Sequence, residues 1–238
     1  MDISGKKAII FGGTSGMGLA TVEKLVAKGA TVIAIGRSES KASVLPAGVQ
    51  FASCDVRDKD AVATLLAKHA PYDILISAAT GGDRAMGPFL EMDMDGYKAS
   101  FDKLWGYANV VRFGAAHVAD GGSITLVSGA PARNCGPGQV ALSSVGGAVE
   151  AMARAVAREV APRIRVNVMS PGTIDTPMVA LQGEAREHLY SKMTANNLIP
   201  RAGTAEECAQ GIMFLVENDF VTGTTVDVDG GWILRATR

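Results

Sequence analysis

Ile9-Ile10-Phe11-Gly12-Gly13-Thr14-Ser15-Gly16-Met17-Gly18 passes from an apolar run, through glycines, into a helical pattern. The run reads as a first strand and the rest as a turn and helix start. Gly12 permits the sharp turn, Gly16 lets backbone approach a phosphate with no Cβ in the way, and Gly18 lets the helix pack closely on the strand. Free N–H groups at the helix start would then face an anion, so Gly12, Thr14, Ser15, Gly16, Met17 and Gly18 are expected to cradle the pyrophosphate of a dinucleotide. The spacing is GxxxGxG rather than GxGxxG, and no Gly-Lys-Ser/Thr follows, which excludes a Walker A loop. A glycine-rich turn without a ligand is the plainer reading of the same residues.

Leu19 to Lys28 has apolar residues at helical spacing, Gly29 ends it, and Thr31 to Ile35 is a second strand, completing a βαβ unit. NAD-binding folds place an acid near the end of this strand to hold the ribose 2′-hydroxyl. Here the strand runs into Gly36-Arg37-Ser38. A cation in that place suits a 2′-phosphate, so Arg37 and Ser38 favour NADP(H) over NAD(H), with a solvated loop arginine as the alternative. Val49 to Ser53 is a third strand, followed by Asp55 and Val56 at the rim where ligands bind; Asp55 either accepts from an adenine amino group or caps the turn before the next helix. That helix is expected over Asp58 to Lys68, with Ala61, Leu65 and Leu66 on its buried face. Ile74 to Ser77 is a fourth strand opening into Ala78-Ala79-Thr80-Gly81-Gly82, small residues that let backbone pass close to a cofactor.

A long helix is expected from about Asp95 to Val118, with Phe101, Leu104, Trp105, Ala108, Val111 and Ala115 repeating at three and four. Ser123 to Val127 and Ile164 to Met169 are the next strands, separated by a helix over about Val140 to Val160. Ser170-Pro171-Gly172-Thr173-Ile174-Asp175-Thr176-Pro177 stops the sixth strand sharply. Residues 178–201 show weak helical segments and no strand pattern, the character of a substrate loop or lid. Thr204 to Glu207 is a capping box opening the last helix, and Thr225 to Val228 is the closing strand. Strand and helix alternate throughout, so residues 1–238 read as one α/β domain: a doubly wound parallel sheet of about seven strands with helices on both faces.

The 238 residues carry a net charge of −1, with 47% hydrophobic and 20% charged residues. No basic excess points to nucleic acid, the apolar stretches are strand-length, and no signal-peptide pattern opens the chain, so neither nucleic acid nor membrane is expected as a partner and the location is expected to be cytoplasmic. Cys54, Cys135 and Cys208 are widely spaced, and His69, His117 and His188 are isolated; packing roles are expected and no metal site.

With these residues in place, the chain resembles the short-chain dehydrogenase/reductase family along essentially its whole length. The marks are Gly12, Gly16 and Gly18, then Asp55-Val56, Pro171-Gly172 with Thr176, and Val221-Thr222-Gly223 to Asp229-Gly230-Gly231. The resemblance implies a Rossmann-type sheet, NAD(P)(H) across the C-terminal strand edges, a small-molecule substrate and a homotetramer or homodimer. It also implies that Pro171, Gly172, Ile174 and Thr176 meet the nicotinamide carboxamide and that Ala78 and Ala79 border the cofactor.

The family's catalytic residues do not carry over. Its Asn aligns with Lys103, its Ser with Gly129 beside Ser128, and its Tyr-x-x-x-Lys with Leu142-Ser143-Ser144-Val145-Gly146. Such a tyrosine protonates the alkoxide formed by hydride delivery, a contribution of about 10²–10⁴ in rate. Without it, hydride transfer needs another proton donor or an acceptor that is already activated. Lys103 is the candidate donor or oxyanion stabiliser, against a solvated helix lysine, with Ser128, Ser143 and Ser144 as further hydroxyl donors. Arg133 is either an anion binder or a solvated loop residue. Two functions therefore stand: an atypical NADP(H)-dependent oxidoreductase acting on an activated carbonyl, quinone or conjugated system, and a catalytically silent NADP(H)-binding sensor or partner subunit.

Overall fold

The computed structural model describes residues 1–80 and 83–235. Its strands are β1 (Lys7–Phe11), β2 (Thr31–Gly36), β3 (Gln50–Ser53), β4 (Tyr72–Ser77), β5 (Val118–Val127), β6 (Arg165–Pro171) and β7 (Thr225–Val228). All neighbours pair in parallel, in the order β3-β2-β1-β4-β5-β6-β7. The order reverses between β1 and β4, and the crevice above such a switch point is where open α/β sheets bind ligands.

The helices are α1 (Gly16–Ala27), α2 (Lys59–Lys68), α3 (Met94–Ser100), α4 (Asp102–Gly114), the short α5 (Pro131–Asn134), α6 (Val140–Val160), α7 (Gly183–Thr194) and α8 (Ala205–Glu217). One core lies between the sheet and α2, α4 and α6, with Phe11, Leu66, Tyr107, Leu126 and Val149 at its centre. The opposite core brings Val22 of α1 and Ile212 of α8 against Ile10 and Ile76 of the sheet. Strands buried on both faces need continuous apolar runs, which is why they were readable from sequence. Helix α6 is long and apolar enough to cross a membrane by length and composition. It lays Ala141, Val145, Val149, Ala153 and Ala157 into the first core.

Three expectations need correction. The single helix over Asp95 to Val118 is two helices parted at Phe101, and Val118 already belongs to β5. Ser100 makes the break: its Oγ donates to the Gly96 carbonyl at 2.9 Å and accepts from the Ala85 amide at 2.9 Å, tying the incoming loop to the helix end. The break shifts the buried stripe of α4 to Tyr107, Val110, Val111 and Gly114, leaving Trp105 66% exposed. On α2 the fully buried side chains are Val62 and Leu66, while Ala61 and Leu65 are only partly covered. Pro171 does not stop β6 but ends it in register with Val228, and its carbonyl accepts from the Ala130 amide at 2.9 Å. The 178–201 segment contains a helix of 12 residues, α7, anchored by buried Tyr190 and Thr194. The capping box of α8 is present, Thr204 Oγ1 accepting from the Glu207 amide while Glu207 accepts from the Thr204 amide. Cys54 and Cys208 are buried, whereas Cys135 is exposed.

Candidate active site at the C-terminal edge of the sheet

The glycine turn is closed by its neighbours. Gly12 has φ +79°, and a Cβ there would stand 2.7 Å from the Ala79 amide nitrogen and 2.8 Å from the Ala78 carbonyl carbon. The turns after β1 and β4 therefore lie back to back across the switch point. A Cβ on Gly18 would meet the Gly12 carbonyl oxygen at 2.1 Å, so the start of α1 touches the turn that precedes it. Ser15 is the N-cap of α1 but makes no side-chain cap hydrogen bond, and the first turn holds no acid, leaving its N–H groups for an anion. A Cβ on Gly16 would sit 3.4 Å from Thr176 Cβ, which brings the loop after β6 over the same helix end. Thr14 is buried against Gly36, and Met17 packs on the α1 core. Ile174 pairs with Gly203 in an isolated parallel bridge, and Gly172 lies so close to Asp229 that a Cβ would be 2.7 Å from its Cα. These residues fit a dinucleotide: a helix end without its own anion, glycines where side chains would clash, and two loops converging on it. Gly81 and Gly82 lie outside the described residues.

Beside the glycine turn, between the loops that follow β2, β3 and β4, a cavity of about 290 Å³ is lined by Arg37, Arg57, Thr80, Asp83, Ala99 and Asp102. Arg37 and Ser38 are exposed on its rim, with Ser38 Oγ 2.8 Å from Ser40 Oγ. Asp55 caps the turn before α2, its Oδ1 accepting from the Arg57 amide at 3.0 Å, and pairs with the same residue's guanidinium, Arg57 Nε lying 3.1 Å from Oδ1 and Nη2 2.7 Å from Oδ2. That pair holds the Asp55 carboxyl below the usual carboxylate range, the hydrogen bond from Arg57 being the main cause. The cap of α2 is Asp58, which accepts from the Asp60 and Ala61 amides. Val56 is buried and fills the space that Gly106 on α4 leaves open. Sequence reasoning missed Arg57, although an arginine two residues past the acid was a local signal.

Lys103 lies one turn before Tyr107, on the core-facing stripe of α4. Its Nζ donates to the Ser128 carbonyl at 2.9 Å and stands 5.5 Å from the centre of the Tyr107 ring. The residue is partly exposed, and burial around the ammonium, with the nearby charge of Arg84, lowers its pKa from 10.5 to about 7. Tyr107 is no substitute for a catalytic tyrosine: its hydroxyl donates to the Val127 carbonyl at 3.1 Å, and burial pushes it above its ordinary range. Lys103 and Tyr107 thus grip successive carbonyls at the end of β5.

Ser128 turns away from that edge. Its Oγ donates to Glu150 Oε1 at 2.9 Å, a carboxylate of α6 that is buried. Arg133 Nε lies 3.7 Å from the same Glu150 oxygen, and Arg133 also pairs with Asp227 on β7, so it is neither a solvated loop residue nor an open anion binder. Ser143 lies on α6 with its Oγ buried and without a hydrogen-bond partner, while Ser144 Oγ is 3.1 Å from the Tyr97 hydroxyl. Over the site, Arg186 of α7 pairs with Asp175 and donates to the carbonyls of Thr176 (2.8 Å) and Leu181 (3.0 Å), and also to that of Val179. One guanidinium thereby fixes the start of the segment expected to act as a lid.

A family model described as enoyl-(acyl carrier protein) reductase matches residues 12–233. The 3-oxoacyl-(acyl-carrier-protein) reductase of Thermotoga maritima is 32% identical over 98% of this chain and 100% of its own. A small-chain dehydrogenase solved in complex with NADPH superposes with a TM-score of 0.84 at 28% identity, covering 97% of this chain and 100% of that one. A short-chain oxidoreductase from Pseudomonas aeruginosa PAO1, described as containing an atypical catalytic center, superposes with a TM-score of 0.85 at 25% identity, covering 97% and 98%. With its switch-point glycine turn, its seven-stranded parallel sheet and this near full-length likeness, the chain belongs to the short-chain dehydrogenase/reductase family, whose members bind NAD(P)(H).

Proposed function

We propose that the chain is an NADP(H)-dependent oxidoreductase with a non-standard active site, reducing a small activated carbonyl compound with Lys103 in place of the family's tyrosine. The observation that carries this reading is the Lys103 ammonium, desolvated on the inner stripe of α4 and aimed at the end of β5. Leu142 and Gly146, on α6, have no titratable side chain to offer. When bound, the reduced dinucleotide supplies the hydride. The residues of the chain do the remainder. Gly12 to Gly18 and Thr176 hold the phosphates, and Arg37 meets the 2′-phosphate at the exposed rim. Lys103 Nζ gives a proton to the carbonyl oxygen as the carbonyl carbon is reduced: an N–H bond breaks, an O–H bond forms, and the neutral amine left behind regains its proton from water. A group with a pKa near 7 is well matched to this exchange at neutral pH. In the reverse direction the neutral amine accepts the proton from the alcohol.

The test is NADPH oxidation by the purified protein over a panel of activated ketones, quinones and enones. Turnover that falls at least a hundredfold in Lys103→Met, with NADPH affinity unchanged, supports the reading. NADPH binding without turnover of any acceptor, in either direction, overturns it and leaves the sensor or partner-subunit function.

A further inference from the structure

Ser128 stands one residue beyond β5, where the carbonyl of the chain has left the sheet. Pairing with β4 ends at Leu126 and with β6 at Val127, and the Ser128 amide makes one more bond across, to the Met169 carbonyl at 3.0 Å. Gly129 follows, with nothing nearer to its Cβ position than Pro131 Cδ at 3.6 Å, so the peptide joining Ser128 to Gly129 has room to turn. The carbonyl of that peptide is nevertheless the one to which Lys103 Nζ donates. A restraint other than the strand has to fix its direction.

The Ser128 side chain supplies that restraint. Its Oγ donates to Glu150 Oε1 at 2.9 Å, and both residues are buried, at 6% and 4% exposure. A neutral acceptor would satisfy a hydroxyl, whereas a buried carboxylate carries a cost of desolvation. The fold offsets that cost locally: Arg133 of α5 lies 3.7 Å from the same Glu150 oxygen and is itself paired with Asp227 of β7. In return, a hydrogen bond to an ionised acceptor is roughly twice as strong as one between neutral groups, which holds the Ser128 side chain firmly. Lys103, Ser128, Glu150, Arg133 and Asp227 thus form one polar chain from α4, through the end of β5, to α6, α5 and β7.

We propose that Glu150 is a positioning residue for Lys103: by holding the Ser128 hydroxyl it fixes the carbonyl that anchors the ammonium. Its consequence for proton transfer rests on the role proposed for Lys103, whereas the link from Glu150 through Ser128 to the lysine does not. Glu150 acts only through Ser128, so removing the hydroxyl should cut the link as completely as removing the carboxylate.

The experiment follows the Lys103 side chain by NMR in the full chain carrying 13C-labelled lysine, titrated with pH and without substrate. Ser128→Ala keeps the carbonyl and the Glu150 charge but removes the link, while Glu150→Gln removes the charge and keeps an acceptor oxygen for the hydroxyl. Tyr107 and Arg84, the other titratable groups beside the ammonium, are untouched by both substitutions. A carbonyl acceptor favours the charged form of an amine, so loosening it lowers the midpoint. Ser128→Ala and Glu150→Leu should each lower the Lys103 midpoint by at least about 0.5 unit, the double variant should move it no further, and Glu150→Gln should stay within about 0.2 unit of the wild type. A midpoint unmoved by Ser128→Ala overturns the proposal. So does one that Glu150→Gln lowers as far as Glu150→Leu, since charge alone would then be acting. Linked midpoints without turnover of any carbonyl refute the reductase reading and keep the link; turnover with a Lys103 midpoint indifferent to Ser128→Ala does the reverse.

Discussion

Replacing Lys103 with Met keeps the long stem of the side chain and removes its charge. Burial and Arg84 bring the group from 10.5 down to about 7, so the folded chain releases this proton while the unfolded chain still holds it. Between those two values the unfolded state binds the extra proton, and the lysine's effect on stability becomes less unfavourable as pH rises; below about pH 7 the penalty of a buried cation is fully present. At about 1.4 kcal/mol per unit, the displacement sets a ceiling near 5 kcal/mol, and relaxation around the ammonium reduces it to roughly 2–3 kcal/mol. Loss of the hydrogen bond to the Ser128 carbonyl takes back about 1 kcal/mol at every pH. Lys103→Met should therefore gain on the wild type by roughly 2–3 kcal/mol on going from pH 10 to pH 6, with the gain concentrated near and above pH 7. Urea unfolding of both proteins at pH 6, 7.5, 9 and 10 measures it. Parallel stability curves, with a difference constant to about 0.5 kcal/mol, would refute the buried ammonium. The same group fixes the catalytic profile: carbonyl reduction should decline above about pH 7 as the ammonium loses its proton, and alcohol oxidation should rise over the same interval.

Three other perturbations examine separate parts of the structure. Gly18→Ala drives a Cβ into the Gly12 carbonyl and should cost roughly 1–3 kcal/mol of stability together with at least about tenfold in NADPH affinity, read by urea unfolding and fluorescence titration. Arg37→Ala should weaken NADPH about tenfold to a hundredfold and leave NADH unchanged; an equal loss for both cofactors would place the 2′-phosphate elsewhere. Glu150→Leu leaves the Ser128 hydroxyl without its acceptor and should cost about 2–4 kcal/mol, while adding Ser128→Ala should restore part of that loss; additive losses in the double variant would show that the two groups are uncoupled.

The sheet was legible because strands buried on both faces are written as short apolar runs, and the glycine turn because its constraint is steric and local. Phe101 carries no mark of a helix break; the break is made by Ser100 reaching the loop amide of Ala85, a contact between segments 15 residues apart. Once that break shifted the phase of α4, Trp105 was left exposed and Lys103 came onto the inner stripe, the reverse of what their hydropathy suggests. The position of Lys103 could be read by alignment with the family, but its partial burial depends on Tyr107 and the end of β5 beside it. The turn that Asp55 caps was legible as one of its two readings, while the pairing of its carboxylate with the arginine two residues along the chain was not.

Arg186 changes what kind of motion can expose the site. By holding Asp175 and the carbonyls of Thr176, Val179 and Leu181, it turns seven residues of loop into a panel that travels with α7. Behind that panel runs a seam where the Asp175 amide meets the Gly203 carbonyl and the Gly203 amide meets that of Thr173. Any opening of this segment has to carry those seven residues with α7 and to break the Gly203 hydrogen bonds, with the Ile199 amide bond to the Gly230 carbonyl holding the far end of the same segment.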